Sequence, residues 1–178
     1  MTDAPAVERF AEAARSAGAV VSVVASAQEM QRTIGEILLQ EQATRVVVSP
    51  AAAATPLRAD VAVATTGASQ DVDSPFDADA GITTADFGLA DTGTLVLLAS
   101  PDQHRLDSLA PAVHIALLGA ERLVANLEEL FERLVNMSAF DASSAITFIR
   151  GPSRTADIEL TLSVGVHGPK RVYVVVLQ

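Results

Sequence analysis

Apolar residues recur at intervals of three and four from Val7 through Phe10, Ala11, Ala14 and Ala17, and Gly18 follows where a left-handed cap ends a helix. This pattern predicts a first helix. A short β-branched run, Ala19 to Ala25, reads as a strand, and Ser26-Ala27-Gln28-Glu29 has the spacing of a capping box, in which hydroxyl and carboxylate satisfy amides reciprocally. The helix opened by that box carries Met30, Ile34, Ile37 and Leu38 as its apolar stripe, and Gln40 to Thr44 leads out into the buried strand Arg45-Val46-Val47-Val48. Ala51 to Leu57 fits a short helix or turn, and Val61-Ala62-Val63-Ala64 another strand. Strands separated by helices imply parallel pairing. Thr65 to Ala78, rich in Thr, Gly, Ser, Asp and Pro, is expected to be a loop over a site. Phe87 to Ala90 and Thr94 to Leu98 flank Asp91-Thr92-Gly93 at hairpin spacing, with Gly93 taking positive φ. Ala112 to Leu118 is a strand. Leu127, Leu130, Phe131 and Leu134 mark one more amphipathic helix with Asn126 as its cap, and Ala145 to Ile149 and Arg171 to Leu177 close the chain as strands. The fold class expected is α/β, a three-layer α/β/α sandwich with a mostly parallel central sheet.

The length of 178 residues, against the ~150 of a typical domain, points to a single domain over 1–178. Twelve Lys and Arg against 22 Asp and Glu give a net charge of −10, which repels phosphate backbones and anionic lipid and argues against a nucleic-acid partner. There is no cysteine, hence no disulfide, thiolate zinc site, Cys nucleophile or Cys-ligated iron–sulfur cluster. The longest uncharged runs, Ser16 to Gln28 and Ser108 to Ala120, have 13 residues each, short of the ~18 of a membrane span. With Asp3 and Glu8 near its start, the amino terminus does not read as a signal peptide, and the cytoplasm is the expected location.

Four segments carry more polar and glycine detail than packing requires. Around Asp91-Thr92-Gly93-Thr94, a carboxylate sits on a turn beside two hydroxyls; Asp91 either positions an acid against a ligand or bonds its own turn amides. Gly151 to Glu159 follows a predicted strand, and in an open α/β sheet ligands collect outside the carboxyl ends of strands. There Ser153 and Thr155 offer hydroxyls and Arg154 a bidentate grip on a carboxylate or phosphate, unless Arg154 pairs with Asp157 or Glu159 as an internal strut. Gly165 to Arg171 places His167 between glycines, with Gly168 adjacent and Lys170 behind. His167 acts there as acid or base or as a loop-fixing donor, and the cations form a local well for an anion. The fourth segment holds His104 and His114, the latter inside an apolar strand and read as a satisfied core histidine. With His104, His114 and His167 far apart and no cysteine, no metal site is expected. No dinucleotide, P-loop or nucleophile-elbow fingerprint occurs.

The stretch Gly81 to Leu98, the Pro-x-x-His-Ile-Ala pattern at Pro111 to Ala116, Gly-Pro-Ser-Arg-Thr-Ala-Asp-Ile-Glu at Gly151 to Glu159 and Gly-Val-His-Gly-Pro-Lys at Gly165 to Lys170 together resemble the lactate utilisation protein C family, the LUD-domain proteins. The family often has Glu-Thr-Gly-Thr where this chain has Asp91-Thr92-Gly93-Thr94, an acid shorter by one methylene. The resemblance implies a fold like that of the sugar-phosphate isomerases, CoA transferases and formyltetrahydrofolate cyclo-ligase. It also implies a part in oxidising L-lactate to pyruvate alongside oxidoreductases that bear iron–sulfur clusters. No cofactor is expected on this chain.

Two functions follow as expectations. In the first the protein is a non-redox subunit of a cytoplasmic lactate-oxidising complex that binds a small carboxylate. Asp91 and His167 supply its chemistry, and Thr92, Gly93, Thr94, Ser153, Arg154, Thr155, Gly168 and Lys170 line its site. The alternative is a stand-alone CoA-transferase-like or ligase-like enzyme acting on an acyl-CoA or nucleotide, with Asp91 as nucleophile or acid.

Overall fold

Two helices of the chain begin in the same way. Ser26 Oγ accepts from the Glu29 amide at 3.2 Å while Glu29 Oε2 accepts from the Ala25 amide at 2.8 Å. A hundred residues on, Asn126 Oδ1 accepts from the Glu129 amide at 3.0 Å and Glu129 Oε2 from the Ala125 amide at 2.7 Å. Each box satisfies amides that the first helical turn leaves without a partner. The computed structural model describes residues 4–54, 73–138, 143–156, 162–164 and 168–178. In chain order these form α1 (Ala4–Ser16), β1 (Val20–Val24), α2 (Ala27–Gln40), β2 (Val46–Val48), α3 (Pro50–Ala54), β3 (Ala80–Thr84), β4 (Phe87–Leu89) and β5 (Thr94–Leu98). Then follow α4 (Arg105–Leu109), β6 (Val113–Gly119), β7 (Leu123–Val124), α5 (Leu127–Asn136), β8 (Ile146–Ile149), β9 (Arg154–Ala156), β10 (Leu162–Val164) and β11 (Arg171–Leu177).

The central sheet has the order β1-β11-β6-β3-β2, and every neighbouring pair is parallel. Its middle strand pairs Val172 with His114 and Val176 with Leu118; both faces of β6 and β11 are buried, and apart from His114 and the exposed Arg171 their runs are apolar. On one face Met30, Ile34, Ile37 and Leu38 of α2 pack against Ile82, Ile115, Leu117, Tyr173 and Val175. On the other, Val7, Phe10, Ala11 and Ala14 of α1 meet Ala116, Leu118, Val172, Val174 and Val176. Each fully buried Ile, Leu, Met or Phe contributes roughly 1.5–3 kcal/mol, so these two stripes fix the helices to the sheet. The expected α/β class with a mostly parallel central sheet and helices on both faces is what the structure has. Among the described residues no helix is long and apolar enough to cross a membrane.

The hairpin at Asp91 is present, with β4 and β5 antiparallel and Leu89 opposite Thr94. It grows into a second, four-stranded sheet, β7-β4-β5-β8, whose inner residues join the α1 face of the core and whose outer face is covered by Leu130 and Leu134 of α5. The Ala145–Ile149 strand therefore belongs to this sheet, antiparallel to β5, and not to the parallel one. β3 is a strand that the pattern did not announce. Gly81 is there because the Asp107 carbonyl oxygen lies 1.9 Å from where a Cβ would stand, and Thr83 because its hydroxyl bonds His114. The strand expected at 61–64 and part of the loop expected at 65–78 fall outside the described residues. Within 73–78, Pro75–Asp77 forms one 3-10 turn.

Candidate functional site

The carboxyl-terminal half of α1 organises the site, because two turns of chain require glycine where they touch it. Gly93 has φ 66°, and a Cβ there would stand 2.1 Å from the Ala14 amide nitrogen. Gly151 has φ 71°, with the Ala17 carbonyl oxygen 2.3 Å from its Cβ position. Since Leu95 pairs with Ile149, the Asp91–Thr94 turn and the segment after β8 lie at the same end of the second sheet. Gly18 closes α1 with φ 96°, and the Ala19 amide donates to the Ala14 carbonyl at 3.0 Å, the wide bond of a left-handed cap. The Arg154 guanidinium lies over this cap, with Nη2 2.3 Å from where a Gly18 Cβ would be. A cation is favourable at a helix carboxyl end.

Behind Arg154, the Ser153 amide donates to the Pro169 carbonyl at 2.9 Å, and Gly168 leaves room for the Ser153 side chain, whose Cβ would be 3.1 Å from its own. Lys170, exposed, is tied through its amide to the Ala112 carbonyl at 2.8 Å. Four of the expected binding residues, Ser153, Arg154, Gly168 and Lys170, thus come together. Thr155 continues β9 opposite Ser163 on β10. His167 lies outside the described residues, as do Asp157 and Glu159. Among the described residues no carboxylate pairs with Arg154.

On the other flank of α1, the Thr94 hydroxyl donates to the Thr92 hydroxyl at 2.9 Å and the Gly93 amide to the Leu89 carbonyl at 2.9 Å. Asp91 is exposed; its amide donates to the Ala125 carbonyl at 3.2 Å, while its carboxylate accepts no hydrogen bond from the described residues. The turn is therefore not held by the Asp91 side chain, and the carboxylate lines an open groove with Arg9, Glu12, Ser16 and Asn126. Chemically, this end of the molecule offers two exposed cations on backbone that glycines hold close, plus one free carboxylate.

The position of this rim differs from expectation. Gly18, Lys170 and Ala112 immediately precede β1, β11 and β6, so the cluster lies at the amino ends of the parallel strands. The rule that ligands gather at carboxyl ends holds for the parallel sheet, and the strand before Gly151 belongs to the antiparallel one. At the carboxyl ends is a separate cavity of about 330 Å³ with Thr84, Glu121 and Arg122 in its lining. No motif marks it in the sequence; the only signal was the Thr83-Thr84 pair inside an otherwise apolar segment. His114 is wholly buried as expected but satisfied at one nitrogen only: its Nε2 is 2.8 Å from the Thr83 hydroxyl, Nδ1 has no hydrogen-bond partner among the described residues, and burial pushes its pKa down to about 4.

The chain is 41% identical over 109 residues to "Lactate utilization protein C" of Halalkalibacterium halodurans, covering 60% of this chain and 47% of that protein. It is 42% identical over 102 residues to the protein of the same name from Exiguobacterium, covering 56% and 44%. The chain thus spans about half the length of the curated relatives it matches. A crystal structure of a DUF162 family protein from Deinococcus radiodurans superposes with a TM-score of 0.70 at 23% identity, over 100% of this chain and 99% of that one, and so shares its fold. Residues 7–177 match the LUD domain, and the chain belongs to the LUD domain family.

Proposed function

We propose that this protein acts in lactate utilisation as a non-redox subunit or accessory factor that holds a small carboxylate at the amino-end rim. The observation that carries the reading is that the Ser153 amide bonds the Pro169 carbonyl, which brings the chain at Arg154 beside the Gly168–Lys170 segment, so that a chain of net charge −10 presents two exposed cations together as a local well for an anion. Arg154 grips the carboxylate, Ser153 and Thr155 present hydroxyls to it, Lys170 adds charge, and His167 donates to the hydroxyl or oxo group beside it. Thr92, Gly93 and Thr94 form the opposite wall with Asp91. The names of the relatives supply lactate as the acid concerned, and pyruvate is the product that the resemblance implies. Without cysteine the chain offers no thiolate ligand for an iron–sulfur cluster, so electrons from lactate pass to cluster-bearing oxidoreductases that partner it in the cytoplasm.

The free carboxylate of Asp91 favours a second reading, a CoA-transferase-like or ligase-like enzyme. In it an Asp91 carboxylate oxygen attacks an acyl-thioester carbonyl, the C–S bond breaks with its electron pair going to sulfur, and the thiolate leaves, giving a mixed anhydride. Thermal unfolding with lactate, pyruvate, a CoA ester and ATP separates the two. A ligand at a hundred times its Kd adds ~2.7 kcal/mol, a rise in Tm of about 5–10 °C for a chain of this size. Lactate or pyruvate is expected to produce that rise, and Arg154→Ala to abolish it while lowering the unliganded Tm by only a few degrees, the loss of one cation at the end of α1. A response to the CoA ester alone, lost in Asp91→Asn, would reverse the assignment.

A further inference from the structure

We infer that the exposed flank of α5 is a docking surface for a helix of another protein whose apolar face is bordered by Lys or Arg. α5 packs on the second sheet through Leu130 and Leu134, both wholly buried. Each is followed by an apolar residue, Phe131 and Val135, turned ~100° further round the helix axis and so off the covered face. With Leu127 one turn earlier they form a row at a spacing of four that is 47%, 44% and 64% exposed from Leu127 to Val135. A single exposed apolar residue is ordinary. An unbroken row of three presents on the order of a few hundred Å² of apolar surface, the size of patch that marks an interaction site. The apolar arc of α5 is thus wider than the part that the sheet buries.

The border of that row decides what fits it. Glu128, Glu132 and Asn136 make the next row round the helix, all exposed, and an open groove between the two rows is lined by Glu128, Phe131, Glu132, Val135 and Asn136. Rows at a spacing of four are the ridges and grooves by which helices interlock, so the occupant of matching shape is a helix. Its charge follows from the acids. Among the described residues no cation pairs with Glu128 or Glu132, whereas Glu129, the third acid of the helix, is held by Arg133 at 2.8 Å and by the Ala125 amide at 2.7 Å. Lys or Arg along the edge of the docked helix complements the two open carboxylates and sets its register. A second copy of this chain does not fit. Packed antiparallel, α5 and its copy bring the same acidic row together, and a net charge of −10 on each chain opposes their approach. The flank lies on the outer face of the second sheet, and the inference does not rest on the function proposed for the Arg154 rim.

Two synthetic amphipathic helices of about 18 residues serve as probes, one with a leucine face bordered by lysine and one with the same face bordered by glutamate. Each is titrated into the full chain while the backbone amides are followed by NMR. The lysine peptide is expected to give saturable shifts centred on 127–136, and the glutamate peptide to bind at least tenfold more weakly. Glu128→Lys combined with Glu132→Lys is expected to invert that order. Attraction to overall charge alone does not invert it, because the double variant stays strongly acidic. Val135→Asp, at the most exposed position of the row, is expected to weaken the lysine peptide at least fivefold with little change in Tm, and it provides the check if the double variant does not fold. Absence of saturable shifts, shifts centred elsewhere, or peptide binding unchanged in either folded variant would overturn the inference. So would a concentration-dependent dimer of the chain that Val135→Asp abolishes, since a second copy would then be the occupant.

Discussion

Acidification from pH 7 to pH 5 is expected to remove about 2 kcal/mol of stability through His114 alone. The imidazole is wholly buried; among the described residues it bonds only through Nε2, to the Thr83 hydroxyl, and Nδ1 has no partner, and burial lowers its pKa from 6.5 to about 4. The folded pKa is below the unfolded one, so between the two values the unfolded chain binds the proton and the folded chain does not. Stability therefore falls as pH drops through 6.5, at ~1.36 kcal/mol per pH unit, and levels off near pH 4 after a loss of about 3 kcal/mol. Burial raises the carboxyl pKa of Asp86 and Asp107, which contribute with the opposite sign, so the His114 part must be isolated by difference. Urea denaturation of the wild type and of His114→Gln at pH 7 and pH 5 does this. The wild type's advantage over the variant should shrink by about 2 kcal/mol between the two. An advantage unchanged with pH, or an NMR titration of the His114 ring near 6.5, would refute the reasoning.

Gly93→Ala is expected to cost at least ~2 kcal/mol, since it adds left-handed backbone strain to a clash with the α1 backbone that no side-chain rotation relieves. Urea denaturation checks it, and a loss below ~0.5 kcal/mol would show that the turn is not pinned to α1 as described. Asn126→Ala should lower stability by ~1 kcal/mol by freeing the Glu129 amide, whereas Asn126→Asp, which keeps an acceptor, should stay near wild type. Equal losses in both variants would mean the cap is not what the side chain provides.

Local signals in the sequence determined the elements whose causes are local. The stripe Val7, Phe10, Ala11, Ala14 and the Gly18 cap define α1, the Ser26 capping box and the Asn126 cap define where α2 and α5 begin, and the Asp91-Thr92-Gly93 spacing defines the hairpin. Each depends on residues within a few positions of one another, so the chain carries the information in order. The continuous Val run of β11 and the apolar flanks of His114 likewise announce burial on both faces. β3 escaped because the residues that hold it, Gly81 and Thr83, answer to Asp107 and His114, more than twenty positions away. Pairing between strands is a long-range choice, and only the tertiary structure showed that β8 joins the antiparallel sheet. That one choice places Ser153, Arg154, Gly168 and Lys170 at the amino ends of the parallel strands, and leaves the carboxyl ends to a cavity that no motif announces.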